Sequence, residues 1–237
     1  MKFENFGQRG FTSEENYRSA ISLQNPNAET SIKYCIFENT FNTAIFARRA
    51  KNVKILQNLI CDTVEDGIRV IGQTRNFEIS HNLVKNVRHR LLHPEISTEG
   101  SKGFRIWPSG VRIDEITDEE NFILTGNHVM NIDGFGFRIK GSKCARSELD
   151  CETTSGDLSS NATSSGTNSV NGALHCVSIW QNSQNSCSKI ENFKVENCVD
   201  YGIYAQLTSS MIAQNIEISD SSTGITAWVS AKIKFEN

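Results

Sequence analysis

The chain has 237 residues, 38% of them hydrophobic, and a net charge of −3. That length suits one large domain or two small ones with a modest core. The charge argues against nucleic acid or an anionic membrane surface as the main partner, since both demand a basic face, and no apolar run approaches the length of a membrane span.

The opening residues, MKFENFGQRG, carry no apolar signal-peptide core. The expectation is an intracellular protein or a piece of a longer chain. From residue 44 onward a short phrase recurs, anchored on a small residue. Ala44 precedes Ile45, Gly67 precedes Ile68, Gly103 precedes Phe104, and Gly136 precedes Phe137. Ser178 then precedes Ile179, Gly202 precedes Ile203, and Gly224 precedes Ile225. Where nothing intervenes the steps are 23 residues (44 to 67), 24 (178 to 202) and 22 (202 to 224). The first and third residues after the small one are mostly apolar: Ile68 and Val70, Phe104 and Ile106, Phe137 and Ile139, Ile203 and Ala205. Gln181 is the exception at the third place. Period two describes a strand with one buried face.

A second short, β-prone strand precedes each phrase, as in VKILQN, FEISHN, FILTGN and FKVEN. Asn58, Asn82 and Asn127 close such strands, and Asp62, Asn86 and Asn131 follow four residues later. Asparagine suits tight corners, and stacked equivalents can form hydrogen-bonded ladders. Short strands returning at this period, with no helical stripe, predict an all-β fold. The expected architecture is a right-handed parallel β-helix with coils of about 22–24 residues, the hand following the rule for parallel crossovers. One domain is expected over 1–237, with roughly eight coils. Loop insertions are expected at 87–102 and at 142–172. The second is so rich in Ser, Thr, Asn and Gly that it cannot bury its own core, and it holds the sequon Asn161-Ala162-Thr163.

The second residue after the small one faces outward. Down the stack this column reads Phe46, Arg69, Arg105, Arg138, Trp180, Tyr204, Thr226. Aromatic faces stack on sugar rings and guanidinium pairs with carboxylates, so Arg69, Arg105, Arg138, Trp180 and Tyr204 are candidate glycan contacts. The plainer reading is that outward strand positions tolerate such residues. Carboxylates cluster at Asp62, Glu65 and Asp66 and at Asp114, Glu115, Asp118, Glu119 and Glu120. They read as solvated turn charge, with no calcium-loop spacing. His89 and His93 are four apart, but Pro94 disfavours helix there, so no metal site is expected. His81, His128 and His175 join no cluster in the sequence, and nothing implies a cofactor. Seven cysteines allow several pairings. Cys144 can close a short loop with Cys151 or a long one with Cys187. Cys35, Cys61, Cys176 and Cys198 lie in or beside strands and read as buried thiols.

EDGIRVIG (65–72), GFGFRIKGSKC (134–144) and above all SCSKIENFKVENCVDYGIYAQ (186–206) resemble the parallel β-helix region of the fibrocystin family, from about residue 31 to the end. The resemblance implies a fragment of a large ectodomain of the plasma or ciliary membrane. It implies an oxidising compartment, and the matching positions favour Cys144 with Cys187. Through a shared architecture the family is related to cell-surface hyaluronan-degrading proteins, but no catalytic motif of theirs appears here. The expected function is a non-catalytic scaffold contacting glycans or extracellular proteins, with no nucleic acid, and with membrane contact only through other parts of a longer chain. The alternative is a lyase or glycoside hydrolase on a pectate-lyase-like β-helix. A third reading, an intracellular solenoid, leaves the cysteines free and the sequon unused.

Overall fold

The computed structural model describes residues 1–6, 19–72, 74–89, 107–114, 122–140, 142–143, 166–180, 186–207, 210–229 and 233–236. Among these residues every regular element is a strand. On a first face, β2 (Ile21–Gln24), β5 (Ile45–Arg48), β8 (Ile68–Ile71) and β11 (Ser109–Ile113) stack in parallel, one coil apart. The stack continues through the far halves of β13 (His128–Lys140), β15 (Asn168–Trp180) and β16 (Ser186–Leu207) to β18 (Thr223–Val229). A second face holds the four-stranded sheet of β3 (Thr30–Lys33), β6 (Lys51–Leu56), β9 (Arg75–Ser80) and β12 (Phe122–Thr125). On a third face, β1 (Lys2–Glu4), β4 (Ile36–Glu38), β7 (Leu59–Val64) and β10 (Leu83–Arg88) lead into the near halves of β13 and β15. Beyond them come residues 193–196 of β16 and then β17 (Ser210–Ser219). β19 (Ile233–Glu236) lies parallel to β17. The short β14 (Ser142–Lys143) pairs antiparallel with β16. The fold is the parallel β-helix that the period-two phrases predict.

Alternation fills the interior with layers. Phe37, Ile60, Val84, Val129, Val170 and Val195 occupy one register column and are all buried. Ile45, Ile68, Val111, Phe137, Val177 and Ile203 form another. Each such side chain contributes about 1.5–3 kcal/mol on burial. Because a coil touches only its neighbours, this stabilisation is shared pairwise along the stack.

Corners are made by left-handed residues that also stack. Asn5, Asn39, Asp62, Asn86, Asn131, Gly172, Asn197 and Asp220 all have positive φ and follow equivalent third-face strands. Asparagine, aspartate and glycine take this conformation at least cost. Exposed amides link some of them: Asn86 Nδ2 donates to Asp62 Oδ1 at 3.1 Å, and Asn131 Nδ2 to Asn86 Oδ1 at 3.3 Å.

Asn58, Asn82 and Asn127 do something else. They point inward, are buried, and form the expected ladder, with Asn168 as its fourth rung. Asn58 Oδ1 accepts the Cys35 N–H, and from Asn82 onward each Oδ1 accepts from the side-chain amide and the main-chain N–H of the rung before it. For Asn127 the donors are Asn82 Nδ2 at 2.9 Å and Asn82 N at 3.1 Å. The turning residues beside the rungs are Gln57, His81 and Gly126, whose φ is positive. Past Asn168 the same register position holds Phe193, so an amide column gives way to an apolar one.

The structure corrects several sequence expectations. Val87 and Arg88 belong to β10, so the first insertion starts later than residue 87. Residues 168–172 belong to β15, so the second ends earlier than 172. The phrase that stacks between Gly67 and Gly136 is Gly110-Val111-Arg112-Ile113, because Arg112 pairs in register with both Arg69 and Arg138. Gly103, Phe104, Arg105 and Ile106 lie outside the described residues. In β15 the register partner of Gly202 is Cys176, two residues before Ser178: Val177 pairs with Ile203 and Ile179 with Ala205. The anomaly at Gln181 disappears, since the third place is Ile179, fully buried.

Cys176 and Cys198 are not thiols. They form a disulfide with Cα atoms 5.7 Å apart, closing a separation of 22 residues and stapling one coil to the next. The physical reason is placement: consecutive coils bring residues a full turn apart in sequence side by side. Cys35 and Cys61 are free. Cys144 and Cys151 lie outside the described residues, while Cys187 lies on β16, its backbone opposite Ser142. Removing the staple by Cys176→Ser with Cys198→Ser should lower the unfolding free energy by about 2–3 kcal/mol in a urea titration. Reductant should weaken the native chain by about this much more than it weakens the double variant.

Candidate functional site

The first face carries two outward columns. In correct register the first reads Ser22, Phe46, Arg69, Arg112, Arg138, Ser178, Tyr204, Thr226. Trp180 stands in the neighbouring column, between Lys140 and Gln206, with Trp228 beyond Gln206. Of the five candidate glycan contacts, the structure brings Arg138, Trp180 and Tyr204 together on adjacent coils. Arg105 is outside the described residues, and its expected place belongs to Arg112.

The column divides into a closed half and an open half. Phe46 and Arg69 face outward yet are only 3% exposed, and Arg112 is buried with them. These arginines are held by two carboxylates. Arg69 Nε donates to Asp114 Oδ2 at 3.0 Å, and Arg112 Nε to Asp114 Oδ1 at 2.8 Å. Asp66 accepts the Ser109 N–H at 2.8 Å and lies 3.8 Å from Arg112 Nη1. Burial works to raise the Asp114 carboxyl, but Arg112 and Arg69 outweigh it and hold it below its ordinary value. For Asp66, enclosed more completely, burial wins over Arg112 and Arg69 and raises it. Asp66 and Asp114 are therefore not the solvated turn charge expected from sequence. They neutralise arginines that the stack places beside each other, and Arg69 is not available to a ligand. Asp62 sits at a left-handed corner as expected of a turn residue, and Glu115, Asp118, Glu119 and Glu120 lie outside the described residues.

The open half is aromatic. Phe135, His175 and Tyr201 stack on successive coils with ring centroids 5.1 Å and 5.2 Å apart. Tyr204 leans on Tyr201 at 5.4 Å. The Arg138 guanidinium lies 5.3 Å from the Phe135 ring centre and 5.3 Å from that of Trp180. All six side chains are half-buried. Burial lowers the basicity of His175, and Asp200, with Oδ2 3.9 Å from Nδ1, partly restores it. The sequence missed Phe135, His175 and Tyr201 because they precede the small residue, at the bulged corner where inward and outward alternation resets. An aromatic or His near that corner in three successive repeats was the available signal.

Among the described residues the other histidines lie apart from this cluster. His81 turns a corner, His128 contacts Ser169 Oγ at 2.7 Å, and His89 meets the edge of Trp107 at 5.4 Å. His93 is outside the described residues. Among the described residues no group of three His, Cys, Asp or Glu is placed to hold a metal ion.

The chain is 25% identical to fibrocystin-L of Mus musculus over 97% of its own length, and 25% identical to that of Homo sapiens over 100%. It is 24% identical to fibrocystin of Canis lupus familiaris over 97%. Its curated homologues are fibrocystin-L and fibrocystin. The chain spans about 5% of the length of these relatives. No family model and no solved structure matches it. The likeness to fibrocystin-L reaches beyond residue 31, the start expected from the phrases, to cover nearly the whole chain.

Proposed function

We propose that the chain is a non-catalytic β-helix segment of a fibrocystin-like cell-surface protein, and that its open first face recognises sugar rings. The observation that carries the reading is the half-buried cluster of Phe135, Arg138, His175, Trp180, Tyr201 and Tyr204, held on stacked strands rather than on loops. Rings fixed in this way bind with little loss of side-chain freedom, and their apolar faces suit the C–H surfaces of sugars. Similarity to fibrocystin-L and fibrocystin supports the family assignment, and a disulfide between coils suits an extracellular, oxidising compartment. Asp114 is hydrogen-bonded to two arginines, and Asp66 is buried and accepts the Ser109 N–H, an enclosure that disfavours an acid–base role in polysaccharide cleavage.

A glycan array tests recognition. The native chain is expected to retain a subset of oligosaccharides, and Tyr204→Ala to lose about tenfold in affinity, in line with one aromatic contact. Equal binding by both would remove Tyr204 from the site, and no binding by the native chain would overturn the reading. Incubation with polysaccharides followed by product sizing tests the non-catalytic role. Cleaved chains would overturn it.

A further inference from the structure

Resting on the sugar-recognition reading, we infer that the ligand of the open face is an acidic polysaccharide, lying along the helix axis with a carboxylate or sulfate on Arg138. The first observation is charge. In the arginine stack, Arg69 and Arg112 share Asp114, and Arg112 also faces Asp66. Three cations thus stand beside two carboxylates. Among the described residues, Arg138 has no carboxylate within ion-pair distance. It is clamped instead between Phe135 and Trp180. A guanidinium fixed against rings presents its donor edge in one plane, the geometry that takes a carboxylate or sulfate through two parallel hydrogen bonds. Lys140 follows two residues along the same strand and faces outward beside it. The opposing charges that reach Arg138 are Asp114 and Asp66, and Asp114 is already hydrogen-bonded to Arg69 and Arg112.

The second observation is spacing. Strands repeat every 4.7–4.9 Å along the stack, close to the length of one sugar ring in an extended chain. A polysaccharide parallel to the axis therefore advances about one sugar per coil. Trp180 and Trp228 stand two coils apart in one outward column, with Gln206 between them. Trp228 is 69% exposed. The two indoles form platforms in step with every second sugar, and Arg138 lies at the Trp180 end. This geometry fits a chain in which a charged sugar alternates with a neutral one.

The test uses the folded chain and one octasaccharide that alternates a hexuronate with a neutral sugar, in its free-acid and methyl-ester forms. Calorimetry at low salt is expected to show the acid binding at least tenfold more tightly than the ester, with the preference weakening as salt rises. Arg138→Gln should remove that preference, so that acid and ester bind alike. Trp228→Ala, far from Arg138 and exposed, should weaken both forms. Circular dichroism confirms that each variant is folded. If the native chain binds both forms equally, the acidic inference fails and sugar recognition stands. If it binds neither form, and no other glycan on the array, both fail. A preference that survives Arg138→Gln would overturn the assignment of the anion to Arg138.

Discussion

Asn127→Ala should cost about 3–5 kcal/mol of unfolding free energy, measured by urea denaturation, because it breaks the buried ladder in its middle. Two donors of Asn82, the side-chain amide at 2.9 Å and the main-chain N–H at 3.1 Å, lose their shared acceptor. The Ile79 carbonyl loses the Asn127 amide that meets it at 2.9 Å. Asn82, Asn127 and Ile79 are all buried, so water cannot replace the missing bonds without entering the core. Each buried group left unpaired costs about 1–3 kcal/mol. Asn127→Asp should be no milder: it keeps the acceptor but turns the donor toward Ile79 and Asn168 into a buried charge. The contrasting variant is Asn131→Gly, on the exposed corner column, which should change stability by less than about 1 kcal/mol. Gly172 already occupies that column one coil on, with positive φ. Equal losses from Asn127→Ala and Asn131→Gly would refute the distinction between the inner ladder and the outer one.

Asp114→Ala should destabilise by about 3–5 kcal/mol, the typical cost of stranding buried charge. It removes the carboxylate that meets Arg69 at 2.9 Å and Arg112 at 2.8 Å, while Asp66 stays 3.8 Å from Arg112. Asp114→Asn keeps the shape and isolates the charge. The folded-state carboxyl is held below its ordinary value, so its contribution is fully present above the unfolded value of about pH 4. That contribution fades as pH falls through the lower, folded value. The gap in unfolding free energy between the native chain and Asp114→Asn should therefore be widest above about pH 4 and shrink steadily as pH falls below it. A gap independent of pH would show that Asp114 works through shape and not charge.

Much of this was legible in the sequence because a stacked fold writes its rules once per coil. The small residue, the two inward apolar places and the asparagines at the strand ends predicted strand, corner and ladder. Registration failed where a coil was interrupted. Gly103-Phe104-Arg105-Ile106 and Gly110-Val111-Arg112-Ile113 follow one pattern, and period two cannot choose between them. The step from 110 to 136 is 26 residues, nearer the repeat than the 33 from 103, and was the usable clue. In β15 the 24-residue step to Gly202 looked regular, but Gln181 in an inward place signalled a slip of two. A slip by an even number keeps every side chain on its face, so alternation resists it only weakly.

The sequence alone determined that this chain is a stack of β-coils, since periodicity is a local property repeated until it is unmistakable. It also carried the family likeness. Tertiary structure decided what those coils bring together. Only pairing one coil against the next joined Cys176 to Cys198, buried Arg69 against Asp114, and set Trp180 against Arg138. Such contacts join residues a full turn or more apart, and the insertions between coils make that separation irregular. The chemistry of the outer face therefore rests on register across coils, which no single repeat contains.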